Sequence, residues 1–299
     1  MNAMKILVVG AKGQLARSLV TVAAHDEDID LVALGRPELD LLNRDALARA
    51  IDVINPAIVI NSAAYTAVDR AEAEPEIAFA VYCDGAGAVA ELTAQRNLPL
   101  IQISTDYVFD GTKDGAYSED DPPNPQTVYG RSKLAGEVRV AVANPQHIIL
   151  RTSWLYSPYG HNFIKTILRL AGERFELRVV ADQYGNPTYA PDLASAILAI
   201  VRQLLQGDEQ LQPWGLYHAA GGEATSWHKL AEFAIRTAAQ YGWRSVPVRA
   251  VTSSEYPTPA RRPADSRLDC SKLAAVFGLK LPPWTDGVRR CVAQLCGAG

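Results

Sequence analysis

Five short apolar runs recur through the first half of the chain: "KILVV" (Lys5–Val9), "LVAL" (Leu31–Leu34), "AIVIN" (Ala57–Asn61), "LIQIS" (Leu100–Ser104) and "HIILR" (His147–Arg151). Segments with helical periodicity lie between them, such as Asp45–Ile54 and Ile77–Gln95. Near-continuous apolar strands need cover on both faces, and parallel strands need crossover connections to supply it. The alternation therefore predicts an α/β chain built on a doubly wound parallel sheet of the Rossmann type.

After about Arg151 the pattern loosens. Pro and Gly interrupt it at "SPYG", "QYGNPTYAP" and "YPTPARRP", with helices expected over Leu193–Gln206 and Trp227–Gln240. The expected organisation is a dinucleotide-binding domain over 4–155, taking back parts of 180–220. A smaller C-terminal substrate-binding lobe is expected mainly from 156–299.

A chain of 299 residues with 48% hydrophobic content can bury its core without metals or disulfides. A net charge of −4 argues against nucleic acid as a partner. Cys83, Cys270, Cys291 and Cys296 match no zinc or redox spacing, and are expected as free thiols in a reducing cytoplasm. The five histidines form no metal-spaced cluster, and no signal peptide or long apolar span is read. The expectation is a cytoplasmic protein with no membrane partner.

The first strand runs into "GAKGQLA", Gly10 to Ala16. Gly10 suits a tight turn, and Gly13 lets the backbone approach a pyrophosphate at a helix N-terminus. Ala16 replaces a third glycine but is small enough for close packing. A glycine pattern alone is weak; strand before and helix after are the context it requires. At the end of the second strand an acid would bind the ribose of NAD. Here "LVALGRPELD" offers Gly35 and Arg36 instead. Arg36 suits a 2′-phosphate, so NADPH is the expected cofactor, with NADH second. Asp40 and Leu41 are placed to flank the adenine, and Ala63 and Ala64 in "NSAAYT" leave room beside the sheet.

The fourth strand ends in "ISTDYVFDG", which puts Ser104, Thr105 and Asp106 where ligands bind in open α/β sheets. In "TVYGRSKLAGE", Tyr129 and Lys133 are four apart, so a helix presents both on one face. A free phenol has a pKa of about 10. A nearby ammonium lowers it, and Lys133 is expected to do so while also bonding the nicotinamide ribose. Thr105 would hold the substrate oxygen, and Tyr129 would give its proton to a carbonyl as hydride reaches the carbon.

The glycine turn, "STDYVFDG" and "YGRSK" together resemble the extended short-chain dehydrogenase/reductases that act on nucleotide-sugars. "GQLA", "NSAAYTAVDRAE", "STDYVFDG", "YGRSKLAGE", "LRTSWLYSPYGHNFIKTI", "DQYGNPTYAPDLA" and "RRPADSRLD" follow in that order along almost the whole chain. That set is similar to the dTDP-4-dehydrorhamnose reductase family. The resemblance implies reduction at C4 of a dTDP-4-dehydro-L-rhamnose by NAD(P)H. It implies Gly13, Gln14 and Leu15 at the cofactor phosphates, and Asp40, Leu41, Ala63, Ala64 and Tyr65 on the adenosine side. Thr105 and Asp106 would contact the sugar, Tyr129 would be the acid and Lys133 its partner. Trp154 would pack on the sugar; a core aromatic is the competing reading.

The diphosphate of a dTDP-sugar needs cations. Arg261, Arg262 and Arg267 cluster in "PARRPADSRL", as diphosphate ligands or as solvated loop residues. The acidic "YSEDDPPNP" is either a flap over the site or a plain surface loop. Some members of the family dimerise through a metal held by glutamates in the first helix and near the C-terminus. Here "GQLARSLVTVAAH" and "GVRRCVAQL" carry no acid. A monomer or a homodimer without a bridging metal is expected, with no metal ligands. Three alternatives share the fold. A dehydratase needs a second acid beside the threonine, where Tyr107 follows Asp106. Arg36 and the whole-chain match count against a C4-epimerase. A regulatory subunit, like the relative associated with methionine adenosyltransferase, would be marked by loss of the Tyr–Lys pair.

Overall fold

The computed structural model describes residues 3–63, 68–206 and 213–297. The five expected strands form: β1 (Met4–Val9), β2 (Ile29–Leu34), β3 (Ile58–Asn61), β4 (Leu100–Thr105) and β5 (His147–Thr152). A sixth, β6 (Gly215–His218), joins them from the second half of the chain. The sheet is parallel throughout, in the order β2-β1-β3-β4-β5-β6. Strand order reverses between β1 and β3, so the first crossovers leave on opposite faces. A crevice opens at the carboxyl ends of these strands.

The period of two divides the strand residues between the two faces. Ile6, Val8, Ile58, Ile60, Ile101, Ile148 and Leu150 pack with α1 (Gln14–Ala23) and a long later helix (Ala190–Gln206). Leu7, Val9, Val59, Leu100 and Ile149 pack on the opposite face, against α2 (Arg44–Ile54) and α3 (Pro75–Ala94). All of these strand residues are buried, each worth about 1.5–3 kcal/mol in transfer terms.

Helix α3 is long and apolar enough to cross a membrane by length and composition, a span not singled out in the sequence. Half of it is buried inside the fold. Its middle, Ala80–Gly85, is a π turn, a local widening often found beside functional sites. Helix α4 (Val128–Ala143) lies against that turn. The approach is close: a Cβ at Gly136 would stand 2.0 Å from the Tyr82 carbonyl oxygen. Only glycine lets the two helices meet there.

The remaining chain packs around a core of its own. Helices α5 (Phe163–Glu173), α7 (Trp227–Ala239) and α8 (Trp284–Leu295) bury Ile164, Leu168, Leu230, Ala234, Val288 and Val292 together with Tyr156 and Tyr189. The Ala190–Gln206 helix, α6, crosses back to the sheet.

Candidate active site

Each element delivers its residue to the crevice for a local reason. At the end of β1, Gly10 has φ +105°, and a Cβ there would sit 2.9 Å from the Ala63 nitrogen. The turn is therefore glycine-only, and it seats β1 against the end of β3. Gly13 caps α1 with no side chain, and a Cβ there would meet nothing within 4 Å. There is room beside Gly13 at the start of α1, and a helix N-terminus of this kind suits a dinucleotide pyrophosphate. Leu15 is buried in the core, so its share in such binding is its backbone. The Gln14 side chain turns away and bonds Leu155, Ser157 and Asn162.

Arg36 is exposed at the end of β2, with no ion pair among the described residues. Asp40 accepts from its own turn at Leu42 N (3.0 Å), and Leu41 is buried against Gly85 of the π turn. Ala63 donates to Asn61 Oδ1 at 3.2 Å. Ala64 and Tyr65 lie outside the described residues.

Thr105 and Asp106 stand at the end of β4, 4% and 2% exposed. Thr105 Oγ1 donates to Asp106 Oδ1 (3.1 Å) and accepts from Tyr107 N (3.2 Å). Asp106 Oδ2 has no hydrogen-bond partner. Burial pushes this carboxyl up to about 6, against the hydrogen bonds that hold it down. An unpartnered, buried acceptor of this kind is costly unless a ligand meets it.

Tyr129 and Lys133 sit in the first turns of α4, one turn apart. Thr127 caps the helix through Gly130 N at 3.0 Å, and Glu72 binds Val128 N at 2.8 Å. The Tyr129 ring is held edge-on between Tyr82 and Tyr107, with centroids 5.4 and 5.5 Å away. Burial pushes its phenol up to about 12; the Thr105 hydroxyl opposes the rise and the Asp106 charge adds to it. The expectation that Lys133 lowers this pKa is corrected here. Lys133 is 6% exposed, its Nζ donates to the Ile103 carbonyl at 2.5 Å, and it lies 4.8 Å over the Tyr82 ring. Burial pulls Lys133 down to about 8, with Glu137 opposing. Thr105 is the group that favours the Tyr129 phenolate, and burial outweighs it.

Two residues of the site were missed in the sequence. Glu137 accepts from Ser104 Oγ at 2.5 Å and takes a two-point ion pair from Arg151 at 2.9 and 2.6 Å. Both are almost fully buried. The signal was available, since Glu137 lies one turn beyond Lys133. Its partner was not, because Arg151 comes from the next strand.

Trp154 has left-handed backbone (φ +47°) and stacks on Trp227 at 3.5 Å and 7°. One face of its indole is therefore taken by another tryptophan, and the side chain remains partly exposed. Arg262 pairs with Asp69 at 3.1 Å, and its charge also acts on Tyr107, which flanks Tyr129. Arg267 is bound to Asp265. Arg261 is exposed and lacks an ion pair among the described residues. Asp121, in the acidic loop, bonds Ser118 N at 2.6 Å and pairs with Lys113. No group of three or more His, Cys, Asp or Glu among the described residues is placed to hold a metal.

This arrangement offers a protonated phenol, a buried ammonium and an unfilled acceptor at one sheet edge, next to a turn shaped for a dinucleotide. The family model described as RmlD substrate binding domain matches residues 4–296. A dTDP-4-dehydrorhamnose reductase of Sinorhizobium fredii is 47% identical over 292 residues, 98% of each chain. The corresponding Salmonella typhimurium reductase is 38% identical over 98% of each chain. Among solved structures, a dTDP-4-dehydrorhamnose reductase of Bacillus anthracis in complex with NADP superposes with a TM-score of 0.87. It is 34% identical, and the match covers 98% of this chain and 99% of that one. A UDP-glucose 4-epimerase of Brucella ovis, at 20% identity, shares the fold with a TM-score of 0.80 over 99% of each chain. Glycine turn, Thr105, Tyr129 and Lys133 all lie within the matched span, and the chain belongs to the RmlD substrate binding domain family, with dTDP-4-dehydrorhamnose reductases among its full-length relatives.

Proposed function

We propose that the chain reduces the C4 carbonyl of dTDP-4-dehydro-L-rhamnose to give dTDP-L-rhamnose, with NADPH as cofactor. The observation that carries the reading is Tyr129. It stands beside the end of β4, fixed between the Tyr82 and Tyr107 rings and hydrogen-bonded to Thr105, and a phenol in that place is a proton donor to a ketone held by Thr105. Full-length relationship to reductases of that name supports the substrate.

The turn at Gly10 and Gly13 would receive the pyrophosphate on the N–H groups of α1. Ala63 and Leu41 would border the adenosine, and Arg36 would meet the 2′-phosphate. Bound there, NADPH supplies the hydride. The protein does the rest. Thr105 orients the carbonyl oxygen and shares a hydrogen bond with the Tyr129 phenol, which gives its proton to that oxygen. Asp106 Oδ2 accepts from a sugar hydroxyl. Lys133, over the Tyr82 ring at the end of β4, would bond the nicotinamide ribose. Arg262, with Arg261 or Arg267, meets the diphosphate, and Trp154 borders the sugar by its free surface. The sheet end supplies the catalytic groups, and the C-terminal lobe supplies the sugar-nucleotide contacts. The enzyme works in the cytoplasm as a monomer or a homodimer without a bridging metal.

The test is NADPH and NADH absorbance with enzymatically generated dTDP-4-dehydrorhamnose. Consumption of NADPH in preference to NADH supports the reading and the role of Arg36. Interconversion of a nucleotide-sugar without net cofactor consumption would transfer the chain to the epimerases.

A further inference from the structure

The Gln14 side chain is at the wrong place for the role its position suggests. It opens α1, beside the pyrophosphate turn, yet every polar atom it has is spent on the segment that follows β5. Its Oε1 accepts from Ser157 Oγ (2.8 Å) and from Asn162 Nδ2 (2.9 Å). Its Nε2 donates to the Leu155 carbonyl at 3.3 Å. The same helix face continues the attachment. Arg17 lies 4.3 Å over the Tyr159 ring, and Thr21 Oγ1 shares a hydrogen bond with the Tyr159 hydroxyl at 2.9 Å.

The far side of this contact is built. Ser157 is fully buried, and Asn162 bonds the Ser157 carbonyl at 2.7 Å. Asn162 also caps α5 through Lys165 N at 3.1 Å. Leu155, whose carbonyl Gln14 holds, directly follows Trp154 with its left-handed backbone and tryptophan stack. One side chain thus ties the start of the dinucleotide helix to the residue after Trp154 and to the cap of a lobe helix.

We propose that Gln14 is a positioning residue that couples the two binding sites. It carries order from the dinucleotide turn to the Trp154 segment, so that binding of a dinucleotide tightens binding of the nucleotide-sugar, and the reverse. The inference rests on the reductase reading for the identity of the ligands, but the latch itself needs only the two classes of ligand. It leaves the backbone of Gln14 for the cofactor phosphates and gives the side chain a separate role.

The test compares wild type, Gln14→Ala, Ser157→Ala and the double variant. Titration calorimetry measures dTDP affinity with and without NADPH, and NADPH fluorescence measures dinucleotide affinity directly. In wild type, NADPH tightens dTDP binding about five-fold or more, the scale of ordinary coupling. In Gln14→Ala the effect falls toward one, and NADPH affinity alone changes less than about three-fold. Ser157→Ala leaves the turn untouched and loses part of the coupling. Its effect and that of Gln14→Ala are less than additive, as expected for partners in one contact. Equal coupling in all four proteins would overturn the proposal. So would an absence of coupling in wild type, or a large loss of NADPH affinity in Gln14→Ala, which would make the side chain a phosphate ligand after all. Steady-state assay of the same wild-type protein with dTDP-4-dehydrorhamnose is read separately. Failure there with coupling intact would unseat the reductase reading and leave the latch.

Discussion

The Lys133 ammonium donates to the Ile103 main-chain oxygen at 2.5 Å, reaching from α4 into the end of β4. Tyr129, one turn earlier, is governed instead by its burial and by Thr105. The two residues of the Y-x-x-x-K spacing therefore do separate work, and variants should part them.

Tyr129→Phe removes the proton donor and leaves the dinucleotide turn intact. Turnover should fall by about 10² or more, the usual scale for losing a general acid. NADPH affinity, followed by fluorescence, should change little. Unchanged turnover would take Tyr129 out of the mechanism.

Lys133 is held charged where burial opposes the charge. Burial holds its folded pKa at about 8, below the ordinary lysine value of 10.5. A depressed lysine contributes stability only at high pH, above its unfolded value, and loses it as pH falls through about 8. At pH 7 the buried charge therefore costs stability, on the order of 3 kcal/mol before its bond to Ile103 is counted. Lys133→Met should be inactive yet melt at or above the wild-type temperature at pH 7. That advantage should shrink by pH 10. A variant much less stable at pH 7 would contradict the electrostatic account.

Asp106 shows the opposite chemistry with the same consequence. Burial raises its folded pKa to about 6, above the ordinary aspartate value of 3.8. A raised carboxyl contributes stability below about pH 4 and loses it as pH rises through about 6. Asp106→Asn should thus stabilise the protein at pH 7.5 by up to about 3 kcal/mol, with the gain vanishing near pH 4. KM for the dTDP-sugar should rise, because an amide is a poorer acceptor for a sugar hydroxyl. Melting curves across that range check the first part, and steady-state kinetics the second.

Arg262→Ala should raise KM for the dTDP-sugar roughly ten-fold, the scale of a lost charge-assisted hydrogen bond. Arg267→Ala should do less, because Asp265 already neutralises it. Equal KM values in both variants and wild type would remove these arginines from diphosphate binding.

Activity should survive dialysis against EDTA, since α1 and α8 offer no acid pair to bridge through a metal beyond Asp286 in the first turn of α8. Loss of activity restored by magnesium would oppose this.

Local pattern carried most of the sheet. "KILVV" and "HIILR" declare buried parallel strands because each is apolar without a break long enough for a wet face, and "GAKGQLA" declares its turn because Gly10 adopts a φ few other residues tolerate. Thr105, Tyr129 and Lys133 were legible for the same reason: a strand end and a helical spacing are local facts. The short β6 was not, as "GLYH" acquires its strand character only by pairing with β5.

What the tertiary structure decided concerns partners far apart in the chain. Gln14 reads as a phosphate-turn residue until Ser157 and Asn162, more than 140 positions on, take its amide. Trp154 reads as a sugar platform until Trp227 covers one face of it. Glu137 joins the site only because Arg151, from the next strand, and Ser104 pair with it where it is buried. The direction of the Tyr129 pKa also waited for the fold, because burial depends on which rings close around the phenol. Propensity and periodicity are set by neighbours in sequence, whereas desolvation and side-chain pairing are set by neighbours in space.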